Sequence, residues 1–68
     1  MGDVGLIAKL LSEVFGFAVN EDGYKEMSRE NKLKWIQRGV DDAIVNNNWA
    51  AYDQLLAELR SLRTQTGP

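Results

Sequence analysis

The residues of this sequence that could take part in catalysis or ion binding are those with charged side chains. A carboxylate set lies near a predicted helical bend and consists of Asp41, Asp42 and Asp53. A basic set falls within one helical stretch and consists of Arg29, Lys32, Lys34 and Arg38. Paired carboxylates can act as general acid and base or hold a divalent cation, and clustered cations can bind phosphates or an acidic protein partner.

The composition argues against catalysis, metal binding and cofactor binding. The sequence contains no Cys and no His, which removes the thiolate nucleophile, the commonest acid-base catalyst and the usual zinc ligands. The carboxylates lack the Gly-interrupted spacing of calcium loops, and so small a helical chain rarely encloses a pocket. We therefore expect no enzyme activity, no catalytic residue, no metal and no cofactor.

The charge balance also disfavours a nucleic-acid partner. Eight Lys and Arg face ten Asp and Glu, for a net charge of −2, and every neutralised phosphate needs its own cation. The helix that begins at Trp49 has no Lys or Arg in its first two turns, unlike a DNA-recognition helix. RNA or DNA binding therefore remains a secondary alternative.

Turn signals divide the 68 residues into three predicted helices, over residues 4 to 18, 22 to 46 and 49 to 63, with a frayed tail over 64 to 68. Asp3 is the predicted N-cap of the first helix. The second helix either runs on continuously from Tyr24 or is interrupted and recapped at Ser28. The expected fold is an all-α, small three-helix protein within one domain.

The three Asn residues at 46 to 48 predict a C-terminal antiparallel helical hairpin, because so short a link folds residues 29 to 45 back against residues 49 to 62. Apolar stripes at helical spacing should form its core. The stripe of the second helix is Leu33, Ile36, Val40, Ala43 and Ile44. The stripe of the third is Trp49, Tyr52, Leu55 or Leu56, Leu59 and Leu62.

The N-terminal helix is more apolar than a surface helix in so small a chain should be, since only Lys9 and Glu13 interrupt residues 4 to 19. A broad apolar face lies beside a row of small residues, which would let another helix approach closely. We therefore expect a second copy of the chain, another protein partner or a membrane surface to cover it, and a homo-oligomer is the prediction. The predicted oligomerisation residues are Leu6, Leu10, Ala8, Ser12, Phe15, Gly16 and Phe17.

A second face is predicted on the middle helix, opposite its core stripe. It combines aromatic, Met and Arg side chains, the composition of protein-binding hot spots. The predicted protein-binding residues are Tyr24, Met27, Asn31, Trp35, Arg38 and, at the edge, Asp42. The competing interpretation is that Trp35 packs on Phe15 or Phe17 of the first helix.

The apolar N-terminus does not have the pattern of an export signal or an anchor. Asp3 stands where a secretory signal needs basic residues, and the apolar run is too short and too charged for a spanning helix. We expect a cytoplasmic protein. Peripheral membrane association through the first helix is the alternative to a protein-binding role.

The segment Leu10-Leu11-Ser12-Glu13-Val14-Phe15-Gly16-Phe17-Ala18-Val19, then Glu21 to Glu26 and the hairpin to Leu62, resembles the short acidic helical accessory proteins encoded by bacteriophages. The resemblance implies binding and inhibition of a host or rival-phage protein in the host cytoplasm, or assistance in lysis or assembly. It transfers no functional residue.

Overall fold

The computed structural model describes residues 4–64, all of which lie in helices or in the short segments that join them. The helices are α1 (Val4–Phe15), α2 (Glu21–Lys25), α3 (Arg29–Val45) and α4 (Trp49–Thr64). The all-α class and the C-terminal hairpin of α3 and α4 are confirmed. The predicted cap Asp3 and residues 65 to 68 of the predicted tail lie outside the described residues.

The first helix ends at Phe15 and not at residue 18. Gly16 has a φ of +79°, the left-handed conformation that terminates helices, and its N–H donates to the Ser12 carbonyl. The Ser12 hydroxyl donates to the Ala8 carbonyl at 2.8 Å and accepts from the Val19 N–H at 2.8 Å. These bonds turn the following residues back beside α1, although their apolar pattern continues that of the helix.

The predicted second helix is two helices, because two side chains cap two separate starts. The side-chain oxygen Oδ1 of Asn20 accepts from the Asp22 and Gly23 N–H groups and begins α2. The Ser28 hydroxyl accepts from the Asn31 N–H and begins α3. The continuous helix over 22 to 46 is therefore wrong, and the alternative with recapping at Ser28 is what the chain adopts.

Three helices meet at Gly39. A Cβ at this position would lie 2.6 Å from Leu11 Cδ2 and 3.2 Å from Leu55 Cδ1, so any larger residue would force both leucine side chains to shift. The core around the crossing is apolar throughout. It consists of Ile7, Ala8, Leu11, Val14, Tyr24, Ile36, Val40, Ala43, Ala51, Leu55, Leu59 and Leu62.

The hairpin stripes are buried in the middle and exposed at one end. Ile36, Val40 and Ala43 pack against Leu55, Leu59 and Leu62 within the core, whereas Leu33, Tyr52 and Leu56 are partly buried around it. Ile44 and Trp49 are exposed, contrary to prediction. Both flank the link, where α3 ends and α4 begins, so neither has a further turn of helix opposite it. Trp49 packs edge-on against Tyr52 instead, with ring centroids 5.6 Å apart.

The close crossing predicts opposite effects for two glycine substitutions. Gly39→Ala should lower the free energy of unfolding by up to about 2 kcal/mol, because overpacking an enclosed site costs about 1–3 kcal/mol and the better helix propensity of Ala returns only about 1 kcal/mol. Gly23→Ala is the matched control, since its methyl would meet only Asn20 Cβ, at 3.7 Å. It should be neutral or stabilising. Urea denaturation followed by circular dichroism checks this, and equal effects of the two variants would contradict the crossing.

Candidate functional site

Three aromatic rings pack together where α1 ends against α3. Phe15 and Phe17 are stacked with ring centroids 5.3 Å apart, and Trp35 meets them edge-on at 5.6 Å and 6.4 Å. The turn at Gly16 brings the second phenylalanine beside the first, and each pair adopts a geometry that aromatic quadrupoles favour. We call Phe15, Phe17 and Trp35 the aromatic cluster.

An open groove of about 450 Å³ runs beside the aromatic cluster. Its remaining lining side chains are Lys34, Arg38 and Asp42, which follow one another at intervals of four residues and so lie along one side of α3. We call this surface the aromatic groove. Among residues 4–64, neither Lys34 nor Arg38 has a hydrogen-bond or ion-pair partner, and both are exposed.

The aromatic cluster is only partly covered by the rest of the chain. Phe15 and Trp35 are half-buried, whereas Phe17 is 56% exposed. Trp35 therefore packs on both phenylalanines, as the competing interpretation of the sequence expected. The cluster still presents an aromatic surface to the groove, because Phe17 is covered on one side only.

The structure brings together half of the predicted protein-binding face. Trp35, Arg38 and Asp42 line the groove, but Tyr24, Met27 and Asn31 do not. Tyr24 is 1% exposed, because the break before α3 turns it into the core, where its hydroxyl donates to Glu58 Oε2 at 3.3 Å. Met27 is partly buried against the core, and Asn31 lies exposed in the first turn of α3.

The predicted oligomerisation residues have separate positions. Ala8 is buried in the core, the Ser12 hydroxyl is bonded within the chain, and Gly16 is exposed where α1 ends, so the small residues do not form one continuous open row. Leu10 is partly buried and Leu6 is exposed. Phe15 and Phe17 belong to the aromatic groove. Both phenylalanines were predicted to lie within the first helix, although the glycine between them is a signal for the end of a helix.

The four predicted basic residues do not form one patch. Arg29 donates to the carbonyls of Leu62 at 2.9 Å and Arg63 at 3.5 Å, at the negative end of α4, as an antiparallel hairpin allows. The Lys32 ammonium lies 5.5 Å from the centre of the Tyr24 ring, a cation–π contact. Of this set, Lys34 and Arg38 line the aromatic groove.

The predicted carboxylates have different surroundings and do not form a metal-holding group. Asp42 lines the groove, and Asp41 accepts a hydrogen bond from Gln37 at 3.5 Å. Within residues 4–64 no group of three or more acidic side chains is arranged to hold a metal ion. In the same part of the chain, no helix combines the length and the apolar character needed to cross a membrane.

Comparison of the chain with protein-family models, curated proteins and solved structures found no match. A function therefore has to be inferred from the groove and its surroundings.

The buried Tyr24 predicts loss of stability at alkaline pH. Burial, and then the charge and hydrogen bond of Glu58, raise the pKa of the Tyr24 phenol well above its usual value. The unfolded chain loses the phenolic proton of Tyr24 at about pH 10, whereas the folded chain keeps this proton to a higher pH. The contribution of Tyr24 to stability is therefore complete below about pH 10 and is lost as the pH rises above that value. Urea denaturation between about pH 8 and pH 11 should show a steeper decline for the natural chain than for Tyr24→Phe. Parallel profiles would contradict this.

Proposed function

We propose that this chain is a non-enzymatic protein-protein interaction module that binds its partner in the aromatic groove. The observation that carries the proposal is the exposure of Phe17, which stands in a packed aromatic cluster beside two cations that have no partner among residues 4–64. Aromatic and Arg side chains are enriched at the energetic centres of interfaces. A partner that covers Phe17 would remove apolar surface from water, at about 25 cal/mol per Å².

The rigidity of the aromatic cluster supports a binding role. Each ring contacts the other two, and the bond from the Val19 N–H to the Ser12 hydroxyl fixes the segment that carries Phe17. A partner would therefore meet a preformed surface. Binding to such a surface costs less side-chain and loop entropy than binding to a surface that must first be ordered.

We propose further that the chain self-associates through the open end of the hairpin. Three large apolar side chains flank the link there: Ile44, Val45 and Trp49, of which Val45 is 79% exposed. Such a group of exposed side chains is typical of a contact surface. We propose this surface in place of the predicted α1 face because Ala8 of that face is buried in the core and the Ser12 hydroxyl is bonded within the chain.

The burial of α1 favours a protein partner over a bilayer. Ile7, Leu11 and Val14 point into the core, so α1 cannot lay these side chains on a lipid surface while the chain remains folded. An interfacial helix needs its apolar face free. Membrane association is therefore an outcome for the experiments to test, and protein binding is the function proposed.

Self-association should be sensitive to charge at the hairpin end. We expect the natural chain to sediment at micromolar concentration as a dimer or larger species, and Val45→Glu to shift it towards the monomer, because a buried unpaired carboxylate is unfavourable. Ala57→Glu adds the same charge at an exposed position of α4 and should leave the mass unchanged. A folded natural chain that sediments as a monomer would overturn this part of the proposal.

Groove binding is tested by selection of random peptides of about 14 residues, roughly four helical turns, on the immobilised full chain. We expect enriched peptides whose binding is lost in Phe17→Ala. Leu6→Ala is the matched control, because Leu6 is a large apolar residue, 38% exposed, that lies outside both the groove and the hairpin end. It should keep binding. Failure to enrich any peptide, or equal loss in both variants, would contradict the groove as the binding site.

A further inference from the structure

We infer that the aromatic groove accepts an acidic amphipathic segment of another protein, which places one large apolar side chain on the aromatic cluster and carboxylates against Lys34 and Arg38. The inference rests on the proposed function and specifies the chemistry of the partner. It follows from the order of charges along the groove and from the absence of partners for the two cations among residues 4–64.

The charges along the groove have a direction. The three charged residues of the groove follow one another along α3 at intervals of about one helical turn, or about 6 Å. Their charges are positive at Lys34, positive at Arg38 and negative at Asp42. A partner helix lying along α3 matches this order with two carboxylates one turn apart, followed by a neutral or basic residue. Like charges in register would be repelled, which is how rim charges select among partners.

Two other arginines of the hairpin already donate hydrogen bonds within the chain. Arg29 is bonded to the carbonyls that end α4, and Arg63 donates to Gln37 Oε1 at 3.5 Å. Lys34 and Arg38 have no such role in residues 4–64, so a partner can pair with them without breaking a bond of the fold. Their pairing at an exposed rim should affect selectivity and association rate, and should weaken with salt.

The groove itself distinguishes an acidic protein segment from a phosphate surface. Asp42 places a carboxylate beside the two cations, which repels the continuous negative charge of a nucleic acid or an anionic bilayer. The aromatic cluster meanwhile offers a ring face and edges to a single apolar side chain. A helical segment with acidic residues one turn apart beside a large apolar residue satisfies both parts of the groove.

The test repeats the peptide selection with a charge-reversed variant, Lys34→Glu/Arg38→Glu. Peptides enriched on the natural chain should carry Asp or Glu next to an aromatic or large aliphatic residue, and those enriched on the variant should carry Lys or Arg. The best acidic peptide should bind the natural chain at least about tenfold more tightly than the variant, and this ratio should fall towards one near 1 M salt. Lys9→Glu/Arg60→Glu, which makes the same charge change outside the groove, should bind like the natural chain.

The outcomes separate this inference from the proposed function. Peptides that need Phe17 but show no acidic preference would overturn the inference and leave the proposed function standing, whereas no enriched peptide at all would overturn both.

Loss of self-association in the charge-reversed variant would identify a second copy as the occupant, and vesicles of phosphatidylserine that bind the natural chain but not the variant would identify a lipid surface. Either result would overturn the inference. Circular dichroism checks folding, and Lys34→Glu alone repeats the test with one change.

Discussion

The approach of Leu11 and Leu55 to Gly39 fixes how α1 crosses the hairpin, and the rest of the structure depends on that crossing. Because Gly39 has no Cβ, Leu11 and Leu55 both pack against the same point of α3. This packing places the end of α1 where the Val14 carbonyl accepts a hydrogen bond from Asn46 Nδ2 at 3.1 Å. The end of α1 is thereby held beside α3. The aromatic cluster forms there because Phe15 is the last residue of a helix whose angle is already set.

The segment after α1 is fixed at both ends, and this makes the aromatic cluster a stable feature of the surface. The Ser12–Val19 bond anchors its beginning, and the burial of Tyr24 anchors its end. A five-residue helix such as α2 has no stability of its own, so α2 persists because its tyrosine is enclosed in the core and bonded to Glu58. The same tyrosine thus couples the position of Phe17 to the integrity of the core.

Local signals predicted the hairpin correctly, since a short Asn link and two apolar stripes are enough to define it. The exposure of Trp49 could not be predicted in this way, because helical spacing assigns a residue to a face but does not say how far along that face the partner helix extends. The burial of Tyr24 depended on the competition between a continuous helix and a cap at Ser28, and a cap is worth only about 1 kcal/mol, too little for local sequence signals alone to decide between them. The groove required the left-handed turn at Gly16, which is visible in the sequence, together with the crossing at Gly39, which only tertiary packing reveals.

The aromatic groove and the hairpin end differ in character, which is why we propose different partners for them. The hairpin end offers three exposed apolar side chains, Ile44, Val45 and Trp49, which suit a self-complementary contact such as a two-fold axis requires. The aromatic groove combines rings with a directional row of charges, which suits an asymmetric ligand. The two surfaces share no lining residue, and a dimer formed through the hairpin end would carry two grooves, each beside the Asn link of its own chain. Two grooves on one particle can engage a repeated or dimeric target with an avidity far above the affinity of either groove alone.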